Sequence, residues 1–357
     1  MAHSIKTRRR PPARRRHAAA LTVLVATTVL GACGGVEVRD GNDDQATEAA
    51  DPSGDAPGPL ELAVLPKAVG HEFWTTVRAG AECAAEQAGD VTVEWDGVTA
   101  ETDVEGQVNL VQNFVTTQVD GIVYAATDSA ALAPATQAAL DAGIPVAMID
   151  SGTEPQPDEV PLYATDNRAA AVEAANLLAE ELGEGEHDVA LIEFQPGSQT
   201  NTERVEGFTE GLAQHDNLTL VGQQPSHSDV NEARRVTEDI LTANPDLAGI
   251  FAANEPSVLG AAQAVEAAGL SGEIVIIGWD AAPDEVAGLR SGQISALVVQ
   301  NPFNMGYLGV TNMVNHLREG TPLESADTGV TFLTQENVDT DEAAAILEPS
   351  CDNPPVG

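Results

Sequence analysis

Two aspartates follow apolar runs that read as buried strands: Asp150 after Pro145–Ile149, and Asp280 just beyond Ile274–Gly278. The stretches leading to them echo each other. Gly121-Ile-Val-Tyr-Ala-Ala-Thr-Asp128 leads through an Ala-rich segment to Ala142-Gly143 and Asp150, and Gly249-Ile-Phe-Ala-Ala-Asn-Glu255 leads through another to Ala268-Gly269 and Asp280. Ligands of open parallel sheets bind outside the carboxyl ends of the strands. Two such units facing each other would therefore place both carboxylates in one cleft. There they could accept hydrogen bonds from hydroxyls, or form the acid–base pair of a glycosidase. Other enzyme signatures are missing: the sequence has no Gly-x-Ser-x-Gly elbow, no Walker loop and no His-Glu-x-x-His. The seven histidines are scattered without paired ligand spacing, so neither a metal nor a cofactor is expected.

The elements that must position these groups alternate along the chain. Strands are expected at Leu60–Pro66, Val91–Trp95, Gly121–Ala125, Pro145–Ile149, Val189–Phe194, Leu218–Gln223, Ala248–Ala252, Ile274–Gly278 and Ile294–Val299. They read as apolar throughout, as strands covered on both faces should. Helical patterns lie near 72–88, 103–118, 129–142, 167–182, 201–214, 230–243, 256–268 and 282–290, with a further helix opening at Pro302 and ending at Gly320. Phe303 and Tyr307 fit the apolar stripe of that last helix. Thr102 with Glu105, and Thr200 with Glu203, have capping-box spacing. Repeated strand–helix alternation implies parallel sheets with right-handed crossovers.

The ends are different in character. Lys6 to Arg16 is basic, Ala18 to Leu30 is apolar, and Leu30-Gly31-Ala32-Cys33 follows. This order reads as a secretory signal over 1–32, and the Cys after small residues resembles a lipobox with Cys33 as the acylated thiol. The apolar run is too short for a bilayer, which needs about 20 residues. Sec and twin-arginine export both remain open. Residues 33–59 are acidic and poor in apolar groups, which suits a flexible tether to the membrane. Of the sixteen basic residues seven precede Cys33, and no acid does, so a chain beginning there carries −47 rather than −40. Such a charge argues against nucleic acid and against adsorption on anionic lipid. It fits a solvated surface, or adaptation to high salt or pH. The other two cysteines, Cys83 and Cys351, read as half-exposed, and in an oxidising compartment a disulfide between them is plausible.

Pro66-Lys67, His71-Glu-Phe-Trp74, Thr127-Asp128-Ser129, Ala164-Thr-Asp-Asn167, Glu203-Arg204-Val-Glu-Gly-Phe208, Gly278-Trp-Asp280 and Gln300-Asn301-Pro302 occur in this order. Together they resemble the sugar-binding proteins of ABC importers, in the ribose-binding-protein-like group of periplasmic binding proteins. The resemblance runs from about Leu60 to Thr334. It implies an α/β fold of two doubly wound parallel-sheet lobes joined by three crossings near Thr165, Gln300 and Gly329. The first lobe would take 60–165 plus 301–328, the second 166–300 plus 329–347, and 348–357 would be a tail. Carried over by position, ligand contacts come from Lys67, His71, Phe73, Trp74, Asp150, Thr202, Asn254, Trp279, Asp280 and Gln300. Trp74 and Trp279 also suit a core, and Arg204 reads as structural, binding a carboxylate between segments. Ribose binders of this group place Asn at Ala125, Arg at Ser151 and at Thr202, and an aromatic near Ser228. These departures leave a bulkier pyranose or a cyclic polyol open beside ribose. The implied protein is a monomer that delivers a small neutral sugar to ABC permease subunits. A lipoprotein of the same fold that signals ligand to a membrane receptor is the alternative.

Overall fold

The computed structural model describes residues 58–352. The expected signal, Cys33 and nearly all of the tether lie outside those residues. The first sheet is built from β1 (Leu60–Leu65), β2 (Val91–Trp95), β3 (Gly121–Tyr124), β4 (Val146–Ile149) and β5 (Leu162–Ala164). Helices α1 (Glu72–Ala88), α2 (Val104–Thr117) and α3 (Ser129–Asp141) connect the first four of these strands. The second sheet contains β6 (His187–Glu193), β7 (Leu218–Pro225), β8 (Leu247–Ala252), β9 (Val275–Trp279) and β10 (Ala296–Gln300). It is preceded by α4 (Asn167–Leu182) and interleaved with α5 (Gln199–Leu212), α6 (Val230–Ala243), α7 (Glu255–Ala268) and α8 (Pro283–Ser291). The chain then returns to the first lobe as α9 (Pro302–Glu319) and β11 (Ala326–Asp327), and ends in the second with β12 (Val330–Thr334) and α10 (Asp341–Leu347).

The strand orders are β11-β5-β4-β3-β1-β2 and β12-β10-β9-β8-β6-β7. All pairings are parallel except β10 with β12, which is antiparallel. This is the two-lobed, doubly wound α/β architecture that the alternation implied. The chain passes between the lobes at 165–166, 301 and 328–329. Two crossings touch, the Thr165 hydroxyl donating to the Gly329 carbonyl at 3.4 Å.

Each sheet is covered on both faces. In the first lobe, Leu62 and Val64 face a core completed by Trp74, Val77 and Ala81 of α1 and by Met305 and Val310 of α9. These two helices meet at glycine. A Cβ on Gly80 would lie 1.9 Å from the Phe303 carbonyl oxygen, and one on Gly306 would lie 2.0 Å from that of Val77. Phe303 is buried, as its place in the stripe predicted.

Several local expectations need correction. β2 and β7 are edge strands and are less covered than the central ones: β2 alternates between half-buried and exposed residues, and in β7 only Leu218 is buried. The α2 cap is Asp103, which accepts from Gly106 N–H, rather than Thr102. Thr200 lies inside α5, whose N-cap residue Ser198 makes no side-chain cap bond. Cys83 is buried rather than half-exposed. It is bonded to Cys351 with Cα atoms 5.5 Å apart, and the bridge ties the segment after α10 to α1.

Candidate functional site

The carboxyl ends of β1, β4, β6, β8, β9 and β10 converge between the lobes. Asp150 and Asp280 occupy equivalent places after β4 and β9, and both have left-handed backbone, with φ of 58° and 87°. Asp tolerates that region better than most residues. A small cavity of about 20 Å³ lies there, lined by Asp150, Arg204, Asn254, Asp280 and Gln300 among others. Lys67, His71, Phe73 and Trp74, all expected at the site, also border it. The lobes are thus nearly shut, since that volume suits about one water.

On the first lobe, Lys67 is buried and its Nζ stands 2.7 Å from Asp150 Oδ2. The two are close but poorly aligned as a hydrogen bond, so Oδ2 keeps a free lone-pair direction. Nζ instead donates across the cleft to Thr200 Oγ1 at 2.6 Å. Phe73 and Trp74 meet edge to face with centroids 4.8 Å apart. Trp74 belongs mostly to the core, with one edge at the cavity, while Phe73 is half-buried.

On the second lobe, Arg204 pairs with a carboxylate of the facing lobe and also borders the cavity. Its Nη2 lies 4.0 Å from Asp150 Oδ1, Nε donates to Asn167 Oδ1 at 2.8 Å, and Nη1 donates to the Ala253 carbonyl at 2.7 Å. The guanidinium sits 4.1 Å over the Trp279 ring and 5.1 Å from the Phe194 centroid. Trp279 is fully buried beneath it and does not border the cavity. Burial presses the Arg204 pKa down, and the Asp280 and Asp150 carboxylates oppose that. Gln300 donates to Asp280 Oδ1 at 2.7 Å and leaves its own buried Oε1 without a partner. Asp280 Oδ2 accepts from Glu255 N–H at 3.1 Å. Burial raises the Asp280 carboxyl above its ordinary value, with Arg204 pulling the other way.

Two further bridges join the lobes. Asn254 caps α7 and donates to Ser228 Oγ at 3.0 Å, and that hydroxyl donates to Glu101 Oε2 at 2.8 Å. The Glu255 carboxylate reaches α1, accepting from Glu72 N–H at 3.2 Å and Phe73 N–H at 3.0 Å. It thereby caps a helix whose own N-cap residue, His71, supplies no side-chain bond. Burial raises the Glu255 carboxyl, and the α1 amides counter it.

Thr202 is not brought to the cavity; its hydroxyl donates to the Ser198 carbonyl at 3.2 Å. Helical phase explains this. Thr200 and Arg204 are four apart and share a face of α5, and Thr202 points elsewhere. Arg204, Glu101, Phe194 and Glu255 line the cavity but were not among the expected contacts. The carboxylates there serve as acceptors for N–H and O–H donors and as ion-pair partners, an arrangement suited to holding a polar solute. Among the described residues, no group of three or more His, Cys, Asp or Glu is placed to hold a metal. Nor is any described helix long and apolar enough to cross a membrane.

A family model described as a periplasmic binding protein domain matches residues 62–322. The D-allose-binding periplasmic protein of Escherichia coli is 29% identical over 274 residues, covering 74% of this chain and 88% of that protein. The ribose import binding protein RbsB of Bacillus subtilis is 32% identical over 238 residues, covering 67% of this chain and 75% of the relative. An ABC transporter solute-binding protein from Agrobacterium vitis, solved with bound D-fucose, aligns with a TM-score of 0.77 at 36% identity, covering 80% of this chain and 99% of that one. The match spans more than half of the chain, and the fold agrees with it: this chain belongs to the periplasmic binding protein family and has its type I, two-lobed form.

Proposed function

We propose that the protein captures a neutral monosaccharide or cyclic polyol between its lobes and delivers it to an ABC importer. The supporting observation is the convergence of Asp150 from one lobe with Arg204, Asn254, Asp280 and Gln300 from the other, beside Phe73 and Trp74. Hydroxyls of a sugar suit the carboxylates, the guanidinium and the amides, while its C–H faces suit the rings. Lys67 and His71 complete the polar lining. Trp279 acts from behind, fixing the Arg204 plane, and Thr202 stays with the helix backbone. Relatives named for D-allose and ribose, and a neighbour solved with D-fucose, support the solute class.

Entry requires the lobes to part, and the solute then draws them together because only the closed form offers it both sets of contacts. In this reading Cys33 is lipidated and holds the protein at the outer face of the membrane. The test is a thermal-shift screen of D-allose, D-ribose, D-fucose, D-arabinose and cyclitols, followed by calorimetry and small-angle scattering. A sugar or cyclitol should bind and compact the protein. Absence of binding across the panel would reject the reading.

A further inference from the structure

We propose that the cleft prefers a glycoside to the bare sugar, with one further ring lodged in an annex roofed by the C-terminal strap. This rests on the sugar-capture reading above. Beside the small cavity lies a second opening of about 320 Å³, walled by the first turns of α1, by the segment from Asp280 into α8, and by Ile346–Pro349. That volume is near the lower end of small-ligand sites, which begin at about 300 Å³. Phe73, Asp280 and Gln300 line both spaces, so the two adjoin. Where they meet, the buried Gln300 Oε1 has no partner and offers a free acceptor.

The roof is a built feature. Ile346 and Leu347 pack against the second-lobe core, and four residues later Cys351 is bonded to Cys83 on α1 of the first lobe. Gln87 Nε2 also donates to the Cys351 carbonyl at 3.3 Å. The strap is therefore held at both ends, one on each lobe, and it keeps its place over the annex when the lobes are shut. The lining mixes apolar Val286, Val299 and Leu347 with charged Glu72, Arg290 and Glu348. An amphipathic ring suits that mixture: it has faces to pack and an edge to hydrate.

The experiment uses calorimetry of the whole exported domain with D-fucose, D-arabinose and D-galactose, and with the two 4-nitrophenyl anomers of each. Thr76→Trp fills the annex from α1 without touching the inner cavity, and Cys83→Ser with Cys351→Ser frees the roof. At least one glycoside should bind tenfold or more tightly than its parent sugar. Thr76→Trp should remove that gain while leaving the parent's affinity within threefold, and freeing the strap should reduce it. If parent sugars bind and no glycoside binds more tightly, the annex proposal falls and sugar capture stands. If Thr76→Trp leaves a glycoside's advantage intact, the annex proposal also falls. If neither sugars nor glycosides bind, both proposals fall.

Discussion

Asp150→Asn is the sharpest single perturbation of the cleft. In the closed form its carboxylate has Lys67 Nζ at 2.7 Å and Arg204 Nη2 at 4.0 Å, and these side chains are no more than 4% exposed. Replacing the carboxylate by an amide leaves two buried cations facing one another across the cleft with no charge between them. Breaking a buried pair from one side costs about 3–5 kcal/mol. Parting of the lobes lets water reach both cations, so most of that cost falls on closure and hence on solute affinity. The retained amide oxygen argues for the lower figure, about 3 kcal/mol, which is roughly a hundredfold in Kd. Calorimetry with the sugar found in the screen measures it, and small-angle scattering should show a more open particle. Lys67→Met in the same background should restore part of the loss, because it removes one of the stranded cations. An Asp150→Asn protein that binds within threefold of wild type and scatters identically would refute the argument.

The other expectations are simpler. The Cys83–Cys351 bridge closes a separation of 268 residues, and bridges usually contribute about 2–4 kcal/mol, so the double serine variant should lose that much in denaturant unfolding; a loss below about 1 kcal/mol would contradict it. Glu285 is fully buried, and burial, reinforced by Asp280, raises its carboxyl well above 4.5. The folded state then binds the proton more tightly than the unfolded one, so its stabilising effect is complete below about pH 4.5 and is lost as pH rises through the raised value. The melting temperature of Glu285→Gln relative to wild type should therefore climb between pH 5 and pH 8, and a constant difference would count against this. Trp279→Ala should cost about 3–5 kcal/mol of stability and disturb Arg204, whereas Phe303→Ala should lower stability with affinity unchanged, both checked by melts beside calorimetry. Cys33→Ala should yield a precursor without lipid mass, read by mass spectrometry of the membrane fraction.

Much of the fold was legible because a strand covered on both faces must be continuously apolar, as β3, β4 and β8 are. β5 and β11, of three and two residues, carry too little pattern to be found, and β12 follows a crossing rather than a helix. Asp150 and Asp280 stood out because the chain uses the same strand–helix–strand unit twice. Glu101 and Glu255 did not, since two acids among 56 carry no signal until the lobes meet. Thr202 was favoured over Arg204 because position-by-position transfer ignores the turn of α5. The pairing of Cys83 with Cys351 was plausible from compartment chemistry, but that it joins opposite lobes follows only from α10 packing on one and α1 belonging to the other.

The capping of α1 by Glu255 bears on how the protein is noticed by whatever it serves. That contact, the Lys67 bond to Thr200, the Ser129 N–H bond to the Gly197 carbonyl and the Gly152 N–H bond to Gln199 use protein atoms on both sides. Each contributes about 1 kcal/mol net toward the shut form, whether or not a solute is held. A solute shifts the balance only by its preference for the shut form. A membrane partner that reads outline alone would then receive idle messengers along with loaded ones. For such a partner, fidelity would rest on dwell time, because a solute that adds its own bonds to these slows reopening.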